Sequence, residues 1–381
     1  MKTIFYKIKK FFTSINPNWK KRYYPIIGSL IGLFIVSIII ICATPTRDSQ
    51  LLHKGEYSES GWPVQVIAPY VDMTGWVDLN NEYSDNGVTS LGKIMEDTDI
   101  KYFNLGFINP SSSSPFNSDG SINWCWGGYN KLSPKNNDQF QYLGIERAIK
   151  NVRAQGGDIC ISIGGQVGKA PWVISQDVDK LANMYLDIIN TYKLKRMDLD
   201  IEESNQDSHQ NIINAQAIKK VQEKTNIEIT LTIPIMPNGW QEKQLNILHA
   251  YIGQGVDVQL INSMTMCYGG GLYAGEDYGT ASNRAIENAV KQLIQLYSYY
   301  GKTLTEEEAY LMTGATVDIG YESYLYPTFT TDMTKTVIDH AKKYNYGMVS
   351  YWSINRDAKI EENSGVKNKF EFIKKLKEFK T

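Results

Sequence analysis

The chain has 381 residues, of which 42% are hydrophobic and 21% charged, the composition of a globular protein. Residues 1–22 hold seven of the 39 Lys and Arg and no acid, so residues 23–381 carry 32 bases against 41 Asp and Glu. This excess of acidic residues in 23–381 argues against nucleic-acid binding. Four cysteines exclude a disulfide-built scaffold, and four scattered histidines offer no zinc spacing. We expect neither a metal nor a cofactor.

The first predicted element is membrane-spanning. Residues 23–46 contain no charge, and within them "IIGSLIGLFIVSIIIICA" supplies 18 nearly continuous apolar residues, the length expected of a transmembrane helix. The basic charges precede it, which predicts a cytoplasmic segment 1–22, a single signal-anchor at 23–46 and an extracellular remainder on the cell membrane. The alternative is a cleaved signal peptide and a secreted protein. Residues 47–61 are a predicted polar linker.

From residue 62 onward, strand-like runs alternate with segments of helical periodicity. The eight runs are 64–72, 101–109, 157–165, 194–202, 227–235, 258–268, 309–319 and 346–354. Helices are predicted at 142–155, 178–193, 281–300, 330–344 and 367–380. This alternation indicates a parallel sheet, and eight units predict a (β/α)8 TIM barrel over residues 62–381. A doubly wound open sheet is the alternative.

One connection is unusually long. Some 30 residues containing "SSSSPF" and "NWCWGGYN" separate the second strand from the helix predicted at 142. Loops of this length are usually functional or disordered, and two tryptophans with a Gly pair argue against disorder.

The fourth run, "KRMDLDIEES", places Asp198, Asp200 and Glu202 on one face of a strand, with apolar residues between them. Inside a barrel these acids point inward, and Glu202 lies nearest the C-terminal rim, where barrel active sites lie. Crowded carboxyls raise the pKa of at least one of them, as a general acid near neutral pH requires. The alternatives are an exposed acidic edge and a divalent-cation site.

These residues carry a family resemblance. "MDLDIEE" resembles the DxDxE signature of glycoside hydrolase family 18, the chitinases and their relatives. "SIGG" (Ser162–Gly165) is similar to the SxGG motif of the family, "MTMCYGG" (Met264–Gly270) to its MxYD region, and "SYWSINRD" (Ser350–Asp357) to the stretch that carries its sugar-site tryptophan. With "APYVDMTGW", "TIPIMPNG" and "WGGY", which resemble a bacterial chitinase D-like branch, the similarity covers about residues 62–357.

The resemblance implies a monomer that hydrolyses β-1,4 bonds of N-acetylglucosamine-containing polysaccharide, chitin or a chitin-like glycan. It also implies a retaining mechanism in which the acetamido group of the substrate attacks. Glu202 would be the general acid and later the base, Asp200 would orient the acetamido group, and Asp198 would share a proton with Asp200. The implied sugar contacts are Trp352, Tyr268, Trp126, Met266, Tyr70 and Ser162, with Trp352 as the floor of the site and Ser162 also supporting Asp198. For Trp352 and Trp126, simple packing is the alternative.

The chain departs from the family pattern at two positions. Cys267 stands at the Asp position of the MxYD region, and Lys195 replaces the first Asp of the longer DxxDxDxE form. A thiol is a weak hydrogen-bonding group, so Cys267 leaves two other functions open. One is an endo-N-acetylglucosaminidase acting on glycoprotein glycans or peptidoglycan. The other is a non-hydrolytic glycan-binding barrel, against which the intact Glu202 argues.

Overall fold

The computed structural model describes residue 58, residues 60–361 and residues 363–380. The predicted basic segment 1–22, the predicted membrane segment 23–46 and most of the linker 47–61 lie outside the described residues. Among the helices of the part that is described, none is both long enough and apolar enough to cross a bilayer.

Parallel strands form a closed ring. In chain order the strands are β1 (Val66–Ile67), β2 (Tyr70–Asp72), β3 (Ser84–Asp85), β4 (Val88–Thr89), β5 (Tyr102–Pro110), β6 (Trp124–Trp126), β7 (Asp158–Gly164), β8 (Arg196–Asp200), β9 (Glu228–Pro234), β10 (Val258–Met264), β11 (Thr313–Asp318) and β12 (Met348–Trp352). The sheet runs β1-β12-β11-β10-β9-β8-β7-β5-β2. Since β1 and β2 are two halves of one strand, separated at Pro69, the ring closes on itself. The predicted eight-stranded (β/α)8 barrel is confirmed, and an open sheet is excluded.

Helices follow the barrel strands. They are α1 (Leu91–Thr98), α2 (Phe140–Ala154), α3 (Pro171–Ile174), α4 (Val178–Tyr192), α5 (Ser208–Gln222), α6 (Glu242–Gly253), α7 (Tyr278–Tyr299), α8 (Glu306–Leu311), α9 (Thr331–Tyr344), α10 (Ile354–Asp357) and α11 (Glu371–Leu376). Four of the predicted helices agree within a few residues. The last, predicted at 367–380, is shorter, because Phe370 has a left-handed backbone (φ 59) and a 3₁₀ turn replaces the helix after Leu376.

Helix α4 shows how the sequence sets its ends. The side chain of Asp177 accepts hydrogen bonds from the backbone N–H groups of Asp179 and Lys180, which an N-cap residue must satisfy. Apolar residues on its inner face, among them Leu181 and Tyr185, are fully buried. Lys193 then takes a left-handed conformation (φ 53) and ends the helix.

The long connection after β5 is folded rather than extended. Strand β6 turns back and pairs antiparallel with β5, with Trp126 opposite Ile108 and Trp124 opposite Pro110. A second difference from prediction affects the sixth barrel strand, which ends at Met264 and not at residue 268. Cys267 has a left-handed backbone (φ 52), which a continuing strand does not accommodate.

Candidate active site

The C-terminal ends of the barrel strands surround an open cavity of about 370 Å³. Five residues predicted from the sequence line it: Tyr70, Asp200, Glu202, Met266 and Trp352. They come from β2, from β8 and the segment that follows it, from the segment after β10, and from the end of β12. Parity along each strand therefore brings together side chains that are far apart in the sequence.

Asp198 lies at the bottom of the carboxylate stack and is fully buried. Three hydroxyl groups donate to it: Ser162 Oγ at 2.6 Å and Tyr70 Oη at 2.9 Å to one oxygen, and Thr232 Oγ1 at 2.7 Å to the other. Burial raises the pKa of Asp198 to about 6, while these hydrogen bonds act to lower it. The predicted support of Asp198 by Ser162 is present, although Ser162 does not line the cavity and so supports the site from below.

The donors to Asp198 belong to a larger polar network inside the barrel. The amide nitrogen of Asn262 donates to Tyr70 Oη at 3.2 Å and to Thr232 Oγ1 at 3.0 Å, and Thr316 donates to the amide oxygen of Asn262 at 2.8 Å. Branched apolar side chains usually fill the interior of a (β/α)8 barrel. Here a belt of hydroxyl and amide groups spans several strands beneath the carboxylates.

Asp200 is the middle carboxylate, buried with only 3% of its surface exposed. Its Oδ1 atom has no hydrogen-bond partner. Burial raises the pKa of Asp200 well above its usual value, and the charges of Glu202 and Asp198 raise it further. Gly164 lies beside it on β7, with φ 113, and a Cβ at this position would overlap the Asp200 carbonyl oxygen. Only glycine permits this approach of the two strands.

Glu202 lies just beyond the end of β8, half-buried at the cavity rim. Burial, and then the charge of Glu203, raise its pKa to about 7. A carboxyl group with such a pKa holds a proton at mildly acidic pH and can both give and recover it.

Trp352 forms an aromatic wall of the cavity. Its ring stacks on Phe107, with centroids 5.7 Å apart and planes inclined by 16°, and it lies 6.4 Å from the ring of Tyr70. Met266 lines the same space. An indole face that is fixed by such neighbours offers a flat apolar surface to a ligand.

Besides Ser162, two more of the predicted sugar contacts do not reach the cavity. Trp126 is fully buried, and its indole N–H donates to the hydroxyl of Tyr192 at 2.9 Å. Tyr268 is 2% exposed, and its hydroxyl donates to Ser282 at 3.3 Å. Both rings pack inside the protein, contrary to the prediction, because strand alternation does not govern side chains in loops and short edge strands.

The sequence reasoning missed Asp318, which lies at the end of β11 and lines the cavity. Its Oδ2 is 3.8 Å from the sulfur of Cys267, and its other oxygen pairs with Arg356. Burial raises the pKa of Asp318 to about 7, against the lowering effect of Arg356, and raises the pKa of Cys267 to about 12. Cys267 is therefore a neutral thiol beside a carboxyl. The signal was available, since Thr316 and Asp318 share the inward parity of their strand.

No cluster of three or more His, Cys, Asp or Glu in the described part of the chain could hold a metal ion. The divalent-cation alternative therefore lacks a ligand set among those residues.

Comparisons with known proteins extend the motif resemblance to most of the barrel. No family model matches the chain. It is 31% identical over 315 residues to a probable bifunctional chitinase/lysozyme of Escherichia coli (strain K12), which covers 78% of this chain and 32% of that protein. It is 30% identical over 312 residues to endochitinase 11 of Metarhizium anisopliae, covering 78% of this chain and 54% of that protein. The chain thus spans about a third and about half of these relatives' lengths.

Among solved structures, the chain is similar to the catalytic domain of a hyperthermophilic chitinase from Pyrococcus furiosus. The TM-score is 0.67 at 25% identity, over 84% of this chain and 95% of the other. The described residues thus form a (β/α)8 barrel similar to that of a chitinase catalytic domain, with stacked carboxylates at its C-terminal rim. More narrowly, its motifs and these relatives indicate glycoside hydrolase family 18 as the family that the barrel resembles. The chitinase D-like branch stays a prediction.

Proposed function

We propose that the protein hydrolyses β-1,4 bonds in N-acetylglucosamine-containing polysaccharide, chitin or a chitin-like glycan, by a retaining mechanism in which the substrate assists. The observation that carries this proposal is the position of Glu202. Its carboxyl lines the cavity, and its pKa is raised to about 7. Beside it lies Asp200, whose buried oxygen lacks a partner.

In the first step, Glu202 gives its proton to the glycosidic oxygen as the bond from that oxygen to the anomeric carbon breaks. The acetamido oxygen of the same sugar forms a bond to that carbon, which gives an oxazolinium ion and frees the leaving sugar. The unpartnered Oδ1 of Asp200 supplies an acceptor for the acetamido N–H. That hydrogen bond orients the attacking oxygen and stabilises the positive charge.

In the second step, water attacks the anomeric carbon and gives a proton back to Glu202, while the bond to the acetamido oxygen breaks. Two inversions at one carbon retain the anomeric configuration. Asp198 lies below the reacting sugar and favours both steps. Three hydroxyl donors stabilise its anionic form, and its negative charge stabilises the positive oxazolinium ion. It shares a proton with Asp200 as the cycle proceeds.

The sugar that reacts would lie against Trp352, with Met266 beside it. Both line the cavity, and the stacking of Phe107 on Trp352 fixes the ring. Pyranose C–H faces pack well on such a surface, so this wall would bind the sugar while the carboxylates act on it.

We further propose that residues 23–46 anchor the protein in the cell membrane as a single span, with a monomeric barrel outside the cell. The 18-residue apolar run and its preceding basic charges support this. Peptidoglycan is a second candidate substrate, because the name of the Escherichia coli relative pairs chitinase with lysozyme.

A substrate panel tests the proposal. The full chain in detergent is incubated with N-acetylglucosamine oligomers, glycopeptides and peptidoglycan, and the products are identified by mass. Nuclear magnetic resonance then reads the anomer formed first. We expect cleavage of the oligomers with the β-anomer first, and no cleavage by a Glu202→Gln control. An α-anomer first, or cleavage by that control at a rate near that of the wild type, would contradict the mechanism.

A further inference from the structure

The long connection after β5 takes no part in the catalytic cavity. None of residues 111–139 lines that cavity, although connections of this length usually have a function. Together with helix α4, the same connection instead encloses a second open cavity of about 570 Å³, which shares no lining residue with the first. Its volume is within the range of ligand sites, about 300–1,000 Å³.

The connection borders the second cavity as a folded hairpin. Phe116 and Ile122 form an antiparallel bridge, and the backbone N–H of Asn117 donates to the carbonyl of Ser121 at 2.9 Å. At the tip, Gly120 has a φ of 80°, which glycine adopts without strain. This wall of the second cavity is therefore formed before a ligand binds, so binding carries little cost for ordering the loop.

The buried side of the second cavity is apolar. Ile122, Trp124 and Met184 line it, and each of them is at most 5% exposed. The indole N–H of Trp124 donates to one oxygen of Asp187 at 2.8 Å, which fixes the ring and leaves the other oxygen of that carboxylate for a ligand. An apolar surface that includes a fixed indole suits the C–H face of a sugar ring.

Polar side chains line the remaining sides of the second cavity. On helix α4, Asn183, Asp187 and Thr191 follow one another at four-residue intervals, so they form one row over about 12 Å of helix. On the connection, Asn117 and Ser121 contribute an amide and a hydroxyl. Together these groups include hydrogen-bond donors and acceptors, both of which the hydroxyl and acetamido groups of a glycan require.

The charges of the second cavity balance. The charged residues that line it are Asp119, Asp187, Lys135 and Lys180. A cavity without net charge exerts no long-range attraction on a polyanion or a polycation, so it favours an uncharged ligand. Among the described residues, no His, Cys or Tyr lines it, which indicates binding rather than catalysis.

Resting on the proposed function for the identity of the ligand, we propose that the second cavity is a non-catalytic binding site for an uncharged glycan, a chain of N-acetylglucosamine units. Strand β5 connects it to the catalytic cavity, because Phe107 lines the latter and Pro110, three residues further along, pairs with Trp124. A glycan held there is not cut. The site keeps the enzyme on an insoluble polymer while other strands of that polymer enter the catalytic cavity, since two linked contacts bind more tightly than one.

Calorimetric titration of the full chain in detergent tests this site. The Glu202→Gln variant, in which hydrolysis is suppressed, is titrated with an N-acetylglucosamine hexamer, and we expect two hexamers to bind per chain. Adding Asn183→Arg, which places a bulky charge in the second cavity, should leave one bound hexamer. Adding Asn183→Ala should weaken one of the two binding events by about 3- to 10-fold, as loss of one hydrogen-bonding group predicts. Asn190→Arg is the matched control, at an exposed position of α4 outside the cavity, and should leave two.

Turnover separates the second cavity from the catalytic one. With Glu202 intact, Asn183→Arg should lower the rate on insoluble chitin by about 3-fold or more and leave kcat/KM on a soluble tetramer unchanged. One bound hexamer in the Glu202→Gln protein, or a second one that Asn183→Arg does not remove, would overturn the inference while cleavage of the tetramer still supports the proposed function. Binding of hexaglycine instead of the hexamer, abolished by Asn183→Arg, would make the cavity a peptide site and overturn the inference as well. Two bound hexamers without cleavage of any oligomer would overturn the proposed function and support this inference.

Discussion

Glu202→Gln tests the chemistry and the electrostatics of the site at once. The amide keeps the shape of the side chain and removes its acid–base chemistry. General acid–base catalysis contributes about 10²- to 10⁴-fold, so we expect kcat on chito-oligosaccharides to fall by at least ~100-fold. Binding of the same oligomers should remain measurable, because the walls of the cavity are unchanged.

The same substitution, Glu202→Gln, should lower activity but raise the free energy of unfolding above neutral pH. Burial raises the pKa of Glu202 from 4.5 to about 7, so between these pH values the folded protein holds a proton that the unfolded chain has released. The free energy of unfolding of the wild type therefore falls as pH rises through this window, by about 3 kcal/mol at most. Solvent contact of the half-buried side chain reduces this to about 1–3 kcal/mol. Gln does not ionise, so the Glu202→Gln variant escapes this loss of stability at higher pH.

Denaturant titrations at about pH 4 and about pH 8 measure the effect. The variant should match the wild type at the lower pH and exceed its free energy of unfolding at the higher one. Glu223→Gln, at an exposed position on the surface, is the control and should show no such difference. Retained hydrolysis, or a variant no more stable than the wild type near pH 8, would refute the reasoning.

Further substitutions examine the neighbours of Glu202. Tyr70→Phe removes one of three donors to Asp198, so kcat should fall by ~10-fold or more with little change in KM; steady-state kinetics that show equal kcat would contradict this. Cys267→Asp places a second carboxylate beside Asp318. Near pH 8 this variant should be less stable than Cys267→Ser by about 1–3 kcal/mol, as measured by thermal melts. Near pH 4 the difference in stability between the two variants should disappear. Equal melting temperatures at both pH values would refute that placement. Trp352→Ala should raise KM by ~10-fold or more, since the indole supplies the wall of the cavity, and an unchanged KM would argue against a sugar contact. Dialysis against a chelator should leave the rate unchanged; a rate restored only by added divalent cation would favour the cation-site alternative.

The features that could be predicted from the sequence are those that follow from the two-residue period of β-strands. All eight barrel strands and the inward face of Asp198, Asp200 and Glu202 follow from alternation, because a buried strand must separate its two faces. The support of Asp198 by Ser162 followed from the same parity applied to a neighbouring strand.

The remaining features depend on tertiary packing. Trp126 and Tyr268 lie in short or irregular segments where alternation says nothing about direction, and both rings turned inward. Asp318 shares the inward parity of its strand with Thr316, but no motif surrounds it and parity alone does not mark it as part of the site. Its significance depends on Cys267 and Arg356, which only the closed barrel brings near.

The polar belt under the carboxylates has a consequence for folding studies. Tyr70, Ser162, Thr232 and Asn262 come from four different strands, with up to 192 residues between bonded partners. Asp198 therefore finds its full set of donors only when the first barrel strand has folded in beside β7, β8 and β9. Regain of turnover after dilution from denaturant would thus report the assembly of this network, and a lag between the return of helical circular dichroism and the return of turnover would measure how late that assembly occurs.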